Sequence, residues 1–384
     1  MVSPEFLGRC MFSSGMVRLH PIIDRFYLFA FLKHEAFREQ VNALTPRGAT
    51  IRHAGSRWLD CRIPLPQQPD AEDVVQYVGV LARCIYEKEV RIRQRSQEII
   101  DEISHELERA SGGRRKAYRE PTLNDILRRG RLDAATYDRA FQEGIRPLLE
   151  YPRGHASPTE LGFTVTPGPS LELKLLKIRL DSSTRRPGYY ELILPTNISE
   201  YGTLTRSRYL GTPKRLPLLA AGDVVIGEAG FHKGRSIVLV DNQEKTTTNA
   251  HGLYARHRDQ DLELAVFFRC VFSWYRARGL LDLMAVGGSG GHLSPSYFDS
   301  YVRVPNFPSD SRQRVNRLYH NAAAVGLPSG NDLLTRHRAL SDVSGVVQLN
   351  NQLLALRGEL ENVQDKILQG VRVYAHRKTT RADL

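Results

Sequence analysis

Two strings in this 384-residue chain have the residue types that chemistry needs. Glu172-Leu173-Lys174 matches the tail of a nuclease E-x-K motif, where a carboxylate holds a metal ion beside a scissile phosphate. Its nearest upstream acid is Glu160, with no Pro-Asp pair before the motif, so a structural role as part of a strand fits better. Gly287-Gly288-Ser289-Gly290-Gly291 is glycine-rich enough to approach a phosphate. It lacks dinucleotide spacing and opens no clear helix, so it reads as a tight loop. The chain has no G-x-x-x-x-G-K-[ST], no H-E-x-x-H and no Asn/Asp-Pro-Pro-aromatic tetrapeptide. The four cysteines, Cys10, Cys61, Cys84 and Cys270, are scattered without a C-x-x-C pair. That supports neither a disulfide framework nor a zinc ribbon, and fits a reducing cytoplasm. The expectation is a protein that is not an autonomous enzyme, with no cofactor and no metal.

The remaining chemistry is recognition. The chain carries 54 Lys and Arg against 42 Asp and Glu, a net charge of +12, which points to a polyanion partner. Between residues 158 and 308, a mostly β stretch, the balance is only mildly basic, 18 Lys and Arg against 14 Asp and Glu. Its polar loops hold donors and acceptors of the kind that read base edges: arginine for guanine, asparagine for adenine. The candidates are Asn197, Ser199, Tyr201, Thr203, Arg206, Arg208 and Tyr209; then His232, Lys233 and Arg235; then Thr246, Thr247, Thr248, Asn249 and His251; and last Ser289 and His292. Each alone is as well explained as a solvated loop residue; the expectation is collective, that this face and not the helices contacts nucleic acid.

The elements that must position these loops are organised by a repeat. Gly15–His20, an apolar helix at 26–41, a glycine-containing loop at 47–51 and a segment from Trp58 to Pro66 recur in the same order. The second copy is Gly252–His257, a helix at 262–278, the Gly287–Leu293 loop and Tyr301–Pro308. Pro64 and Pro305 are offset by 241 residues. A long helical segment follows the first copy, with Val78, Ile85, Ile92 and Ile99 stepping by seven. The C-terminal segment has Leu349, Leu353, Leu356, Leu360 and Val363 in an a/d pattern, which predicts a helix pair. At about 1.5 Å per residue the two segments, 74–109 and 346–371, run roughly 53 and 38 Å. The apolar run Phe26–Leu32 is too short for a membrane span.

With these features together the chain resembles a specificity (S) subunit of type I restriction–modification systems. Arg131-Leu132-Asp133-Ala134-Ala135-Thr136-Tyr137 resembles the opening of that family's target-recognition domains. Leu219–Ile226, followed by Gly230-Phe231-His232-Lys233-Gly234-Arg235, resembles its Gly-Asp-apolar core and the basic turn after it. The Gly287–Leu293 loop, Val304–Pro308 and the helix from Arg312 resemble the end of such a domain and its spacer helix.

The resemblance implies an α+β fold, with target-recognition domains of mixed β-sheet and helices, and long helices forming an antiparallel coiled-coil spacer. It divides the chain into an incomplete C-terminal part of a first recognition domain (1–66) and a first spacer helix (67–117). A second recognition domain (118–308) and a second helical region with a basic tail (309–384) follow. The opening motif and the Gly-Asp-apolar core have no counterpart in 1–66, which reads as a fragment, a misassigned start or a natural truncation. The implied role is to read one half of a bipartite site in double-stranded DNA, in phage defence. The implied partners are adenine methyltransferase (M) subunits and a restriction/translocase (R) subunit, with no membrane. Alternatives are a stand-alone recognition module of another modification or phage-defence system, a divergent nuclease using Glu172 and Lys174, and a structural coiled-coil protein.

Overall fold

The computed structural model describes residues 17–45, 55–111, 120–129, 134–242, 244–287, 291–323 and 332–375. The expected Arg131–Asp133 motif start, Ser289 and the basic tail lie outside them. The chain divides into two compact units, one formed by residues 1–92, 323–344 and 348–384, the other by 93–322 and 345–347. The architecture is α+β, as expected.

In chain order the elements are α1 (Arg25–Lys33), α2 (Glu35–Leu44), the 41-residue α3 (Ala71–Ser111), α4 (Leu123–Arg129) and α5 (Arg139–Leu149). Then come β1 (His155–Ala156), β2 (Phe163–Pro167), α6 (Leu173–Leu176), β3 (Leu180–Ser182), β4 (Tyr190–Leu192) and β5 (Tyr209–Gly211). These are followed by β6 (Val224–Gly227), β7 (Ser236–Val238), β8 (Thr246–Thr247), β9 (Gly252–His257), α7 (Leu262–Ala277) and α8 (Leu280–Met284). The last are α9 (Pro295–Tyr301), β10 (Val304–Pro305), α10 (Ser309–Tyr319), α11 (Leu333–Val343) and α12 (Val346–Leu368).

The first unit is helical. Residues 71–92 of α3 pair with α12 in reverse order: Tyr77 Oη donates to Glu359 at 3.0 Å, and Lys88 Nζ donates to Gln352 Oε1 at 2.6 Å. Rising numbers on one helix meet falling numbers on the other, so the pair is antiparallel. Val78, Ile85 and Ile92 are buried, as are Leu349, Leu353, Leu356 and Val363. Leu360 is half-buried and lines a groove of about 650 Å³ with Phe29, Ile85 and Gln364. Ile99 falls in the second unit, where it is also buried. Helix α1 starts on Asp24, whose carboxylate accepts from the amides of Phe26 and Tyr27 at 2.9 and 2.8 Å, a strong N-cap. Gly79 of α3 lets that cap come close, since a Cβ there would lie 2.5 Å from Asp24 Oδ1.

The repeat is visible in its helices and not in its strands. Both apolar helices begin on an aspartate cap, Asp24 for α1 and Asp261 for α7. Residues 17–20 form no strand, whereas their counterpart Gly252–His257 is the six-residue β9. β9 is a strand because it lies between β2 and β6, which supply both ladders of hydrogen bonds. Glu172-Leu173-Lys174 is not strand either: it opens the single-turn α6, and Lys174 Nζ pairs with Glu172 at 2.7 Å on the surface.

The second unit builds its core on a four-stranded antiparallel sheet of order β2-β9-β6-β7. Val224, Val225, Ile226, Leu253 and Ala255 are fully buried, and α7 is buried almost all round. Phe163 of β2 stacks on Phe268 of α7, with centroids 4.9 Å apart. A second sheet, β3-β5-β4-β8, packs over Leu171, Leu176 and Leu216, and its β4–β8 pair is parallel. The Gly222-Asp223 turn before β6 is structural. Gly222 has a φ of +87°, and buried Asp223 receives Arg256 Nε at 2.8 Å and the amide of Ala220 at 2.8 Å. No helix among the described residues is long and apolar enough to cross a membrane.

Candidate nucleic-acid interface

The candidate loops converge because strand ends place them together. Gly227, the last residue of β6, pairs with Gly252, the first of β9. The β6–β7 turn (228–235) and the approach to β9 (249–251) therefore leave the same end of the sheet. Glu228 N donates to the His251 carbonyl at 3.0 Å, and Leu293 N donates to the Glu228 carbonyl at 3.0 Å. Ala229 bridges to His292, which brings the fourth loop in. The 197–205 turn joins through Arg235, whose Nη1 donates to the Ile198 carbonyl at 3.2 Å.

At that end the Glu228 carboxylate sits between two exposed imidazoles, 3.6 Å from His251 Nδ1 and 3.9 Å from His292 Nδ1. Arg206 and Arg208 are exposed. Lys233 Nζ is held by Asp282 at 2.8 Å, with its side chain only 10% exposed. Burial, and then the nearby Arg235 charge, lower the pKa of His232, so its imidazole is neutral at physiological pH. Tyr209 lies half-buried on β5 and lines a cleft of about 600 Å³ with Arg185, Arg186, Tyr189, Glu191 and Lys245.

Other candidates serve the loops from inside. Asn197 is 1% exposed: its carbonyl accepts from Thr205 N and Oγ1, and its Oδ1 accepts from Arg206 Nε at 3.2 Å. Ser199 Oγ accepts from the amides of Tyr201 and Thr203, at 3.2 and 3.1 Å, and shares a hydrogen bond with Thr203 Oγ1 at 2.8 Å. Thr246, Thr247 and Thr248 are buried; Thr247 Oγ1 donates to the Pro217 carbonyl and Thr248 Oγ1 to the Ile193 carbonyl, both at 2.7 Å. The expectation that Asn197 and Thr247 face a ligand is corrected: Thr247 Oγ1 is turned to the buried Pro217 carbonyl, and the Asn197 side chain is buried with its Oδ1 accepting from Arg206. Asn249 is half-buried, and its carbonyl accepts from Gly252 N at 2.8 Å.

No protein-family model matches the chain, and no curated protein matches it. Among solved structures it is similar to specificity subunits of type I restriction–modification systems. For the S subunit from M. genitalium the identity is 14%, covering 92% of this chain and 73% of that one, with a TM-score of 0.43. The HsdS subunit from Thermoanaerobacter tengcongensis is 13% identical, with coverages of 90% and 70% and a TM-score of 0.25. A structure described as bearing on complex assembly and conformational transition of the type I R-M system is 12% identical, with coverages of 89% and 70% and a TM-score of 0.32.

Three features of the second unit escape the sequence reading. Glu228 organises two histidines, yet it is one acid among many until β6 and β9 are paired. The Arg185-Arg186-Pro187-Gly188 tip joins Tyr209 and Lys245 in one cleft. Its two arginines before a Pro-Gly turn are the local signal that could have marked it. The third is Phe231, which is 95% exposed at the tip of the β6–β7 turn.

Proposed function

We propose that this chain is a non-catalytic DNA sequence-specificity subunit of a type I restriction–modification complex. Its second unit reads duplex DNA, as one half of a bipartite site, and its helical unit docks adenine methyltransferase subunits. A restriction/translocase subunit joins that complex for cleavage. The observation that carries DNA reading is the convergence of four polar loops at one end of the β2-β9-β6-β7 sheet, with Arg206, His251 and His292 exposed there. The sequence motifs that resemble the family's recognition domain lie on the same elements: the Gly-Asp turn leads into β6, and the basic turn is the converging 228–235 loop.

Fixed cations on such loops contact phosphates and set register, while arginine or histidine donors reach base edges in the major groove. Anisotropy of a labelled duplex is expected to show binding that weakens steeply with salt, by one power of salt for roughly each phosphate contacted. Selection from a randomised duplex pool should then return a defined half-site. Absence of duplex binding at about 50 mM salt would sink the reading.

Docking of methyltransferase subunits is supported by the antiparallel α3–α12 pair, a regular scaffold with a polar outer face. Leu356→Pro removes an intrahelical hydrogen bond and clashes with the preceding turn, at a cost of about 3 kcal/mol or more. Loss of helical circular dichroism and of co-purification with the methyltransferase subunit is the expected result. Assembly at wild-type yield would show that α12 is not part of the docking scaffold.

A further inference from the structure

We propose that Phe231 is a stacking wedge: its ring enters or caps a base step of the duplex bound at the loop end of the second unit. This rests on the DNA-reading function proposed above and names the residue that contacts bases by shape and stacking rather than by hydrogen bonding.

A single exposed apolar side chain is ordinary on a protein surface. Phe231 differs in degree and in setting. It is the most exposed aromatic side chain among the described residues, at 95%, while the next large one, Tyr374, is 57% exposed. It stands at the centre of a three-residue 3-10 turn, Gly230–His232. That turn is held rigidly on both sides. Gly227 N donates to the Arg235 carbonyl at 2.8 Å, and Gly234 N donates to the Gly227 carbonyl at 2.9 Å. Lys233 N and Arg235 N close the turn onto the carbonyls of Gly230 and His232, at 3.1 and 3.0 Å. Gly230 has a φ of +62° with open space around it, so glycine is required there by backbone conformation and not by crowding. A Cβ on Gly234 would strike Leu281, which fixes the other end of the turn against α8.

The effect is a phenyl ring presented on a preorganised support, with no core to fill. Its surroundings offer exposed hydrogen-bond donors. Lys233 and Arg235 follow it in sequence but are turned inward, onto Asp282 and the Ile198 carbonyl. The exposed donors at this loop end are Arg206, His251 and His292, the two imidazoles flanking Glu228. An exposed aromatic on a rigid turn beside polar donors is the arrangement with which proteins unstack or cap a base step, the donors meeting the adjoining phosphates. Base stacking is sequence-tolerant in itself, but its cost depends on the step, so Phe231 would favour flexible pyrimidine–purine steps at its position.

The test uses the full chain and a mixed-sequence 30-base-pair duplex, a length of about three helical turns, at about 50 mM salt. Phe231→Ala is expected to melt as the wild type does, because the side chain packs on little, and to bind about tenfold more weakly with an unchanged salt slope. An unchanged slope separates a stacking loss from the loss of a phosphate contact. Phe231→Trp is expected to bind like the wild type, and the emission of the added indole should be quenched on saturation with duplex. If the wild type binds duplex but Phe231→Ala binds as tightly, or the added indole is unaffected by DNA, the wedge is overturned and the DNA-reading function stands. If Phe231→Ala keeps duplex binding and instead loses methyltransferase co-purification, the ring is a protein-docking group and the wedge is equally overturned. If the wild type itself fails to bind duplex, the broader reading fails with it.

Discussion

Gly202→Val is expected to lower the melting temperature of the second unit and to abolish selective binding of the duplex half-site. Gly202 has a φ of +80°, a region that a β-branched residue adopts only with strain. Space is also missing. A Cβ there would collide with Arg269 Nη2 and lie 2.7 Å from the Ser236 carbonyl. Arg269 cannot yield easily, being 1% exposed, with Nε donating to that same carbonyl at 3.2 Å and the guanidinium lying 4.3 Å above the Tyr319 ring. Tyr319 completes the clamp: its hydroxyl donates to the Gly202 carbonyl at 2.9 Å and accepts from Val238 N at 3.3 Å. One glycine therefore ties the 197–205 loop to β7, α7 and α10 at once. Left-handed strain and overpacking together cost about 3 kcal/mol. At roughly 2–4 °C per kcal/mol for a unit of this size, the melting temperature should fall by about 6–12 °C. Calorimetry of Gly202→Val beside the wild type checks this, and an unchanged melting temperature would mean that the clamp carries no stability.

Lys88→Met is expected to change how stability depends on pH. The Lys88 ammonium is 1% exposed in the helical unit, where it donates to the His337 carbonyl at 3.3 Å, Ser341 Oγ at 2.9 Å and Gln352 Oε1 at 2.6 Å. Burial dominates and pushes its pKa down to about 8, against smaller raising contributions from Cys84 and Glu87. A lysine lowered in the folded state binds fewer protons there than in the unfolded chain between pH 8 and its ordinary value near 10.5. Wild-type stability from this group therefore rises with pH across that window, and the penalty is fully present below pH 8. The shift corresponds to roughly 3 kcal/mol. The stability of Lys88→Met relative to wild type should fall by about that much from pH 7.5 to 10.5. Chemical denaturation at both pH values measures it; a difference that does not move with pH would place the charge in solvent. His337, buried beside Lys88, has its pKa lowered to about 4, mainly by desolvation. It is a second pH-sensitive group in this cluster, but it acts in the acid range and leaves the alkaline comparison intact.

Periodicity made the helices readable. Leu349, Leu353, Leu356 and Val363 repeat because one face of α12 is buried, and the same rule exposed the buried face of α3 at Val78, Ile85 and Ile92. Strand β6 was legible from Val224-Val225-Ile226 after a Gly-Asp turn. The repeat at 17–20 does not form the strand that its counterpart β9 forms, because a strand depends on neighbours that a local string does not contain. The candidate interface was legible as a set of loops but not residue by residue. Thr247 and Asn197 have side chains of the kind that read DNA, yet Thr247 serves a buried carbonyl and Asn197 accepts from Arg206 inside the loop, and sequence does not separate those uses. Phe231 falls in the basic turn that the sequence marks, but an apolar ring in a turn is packed or bare according to its distant neighbours, and only the tertiary fold shows that nothing covers it.

The contact between Tyr77 and Glu359 joins residues 282 positions apart. During synthesis at about 5–20 residues per second, the seam at Val78 and Ile85 leaves the ribosome well before Leu353 and Leu356 exist. Its apolar face then waits on the order of 15–60 seconds for its partner, while the whole second unit, which lies between them in sequence, is being made and can fold. The helical unit is thus the last to form in the life of the chain, and its first half depends for that interval on being shielded from other nascent seams of the same kind.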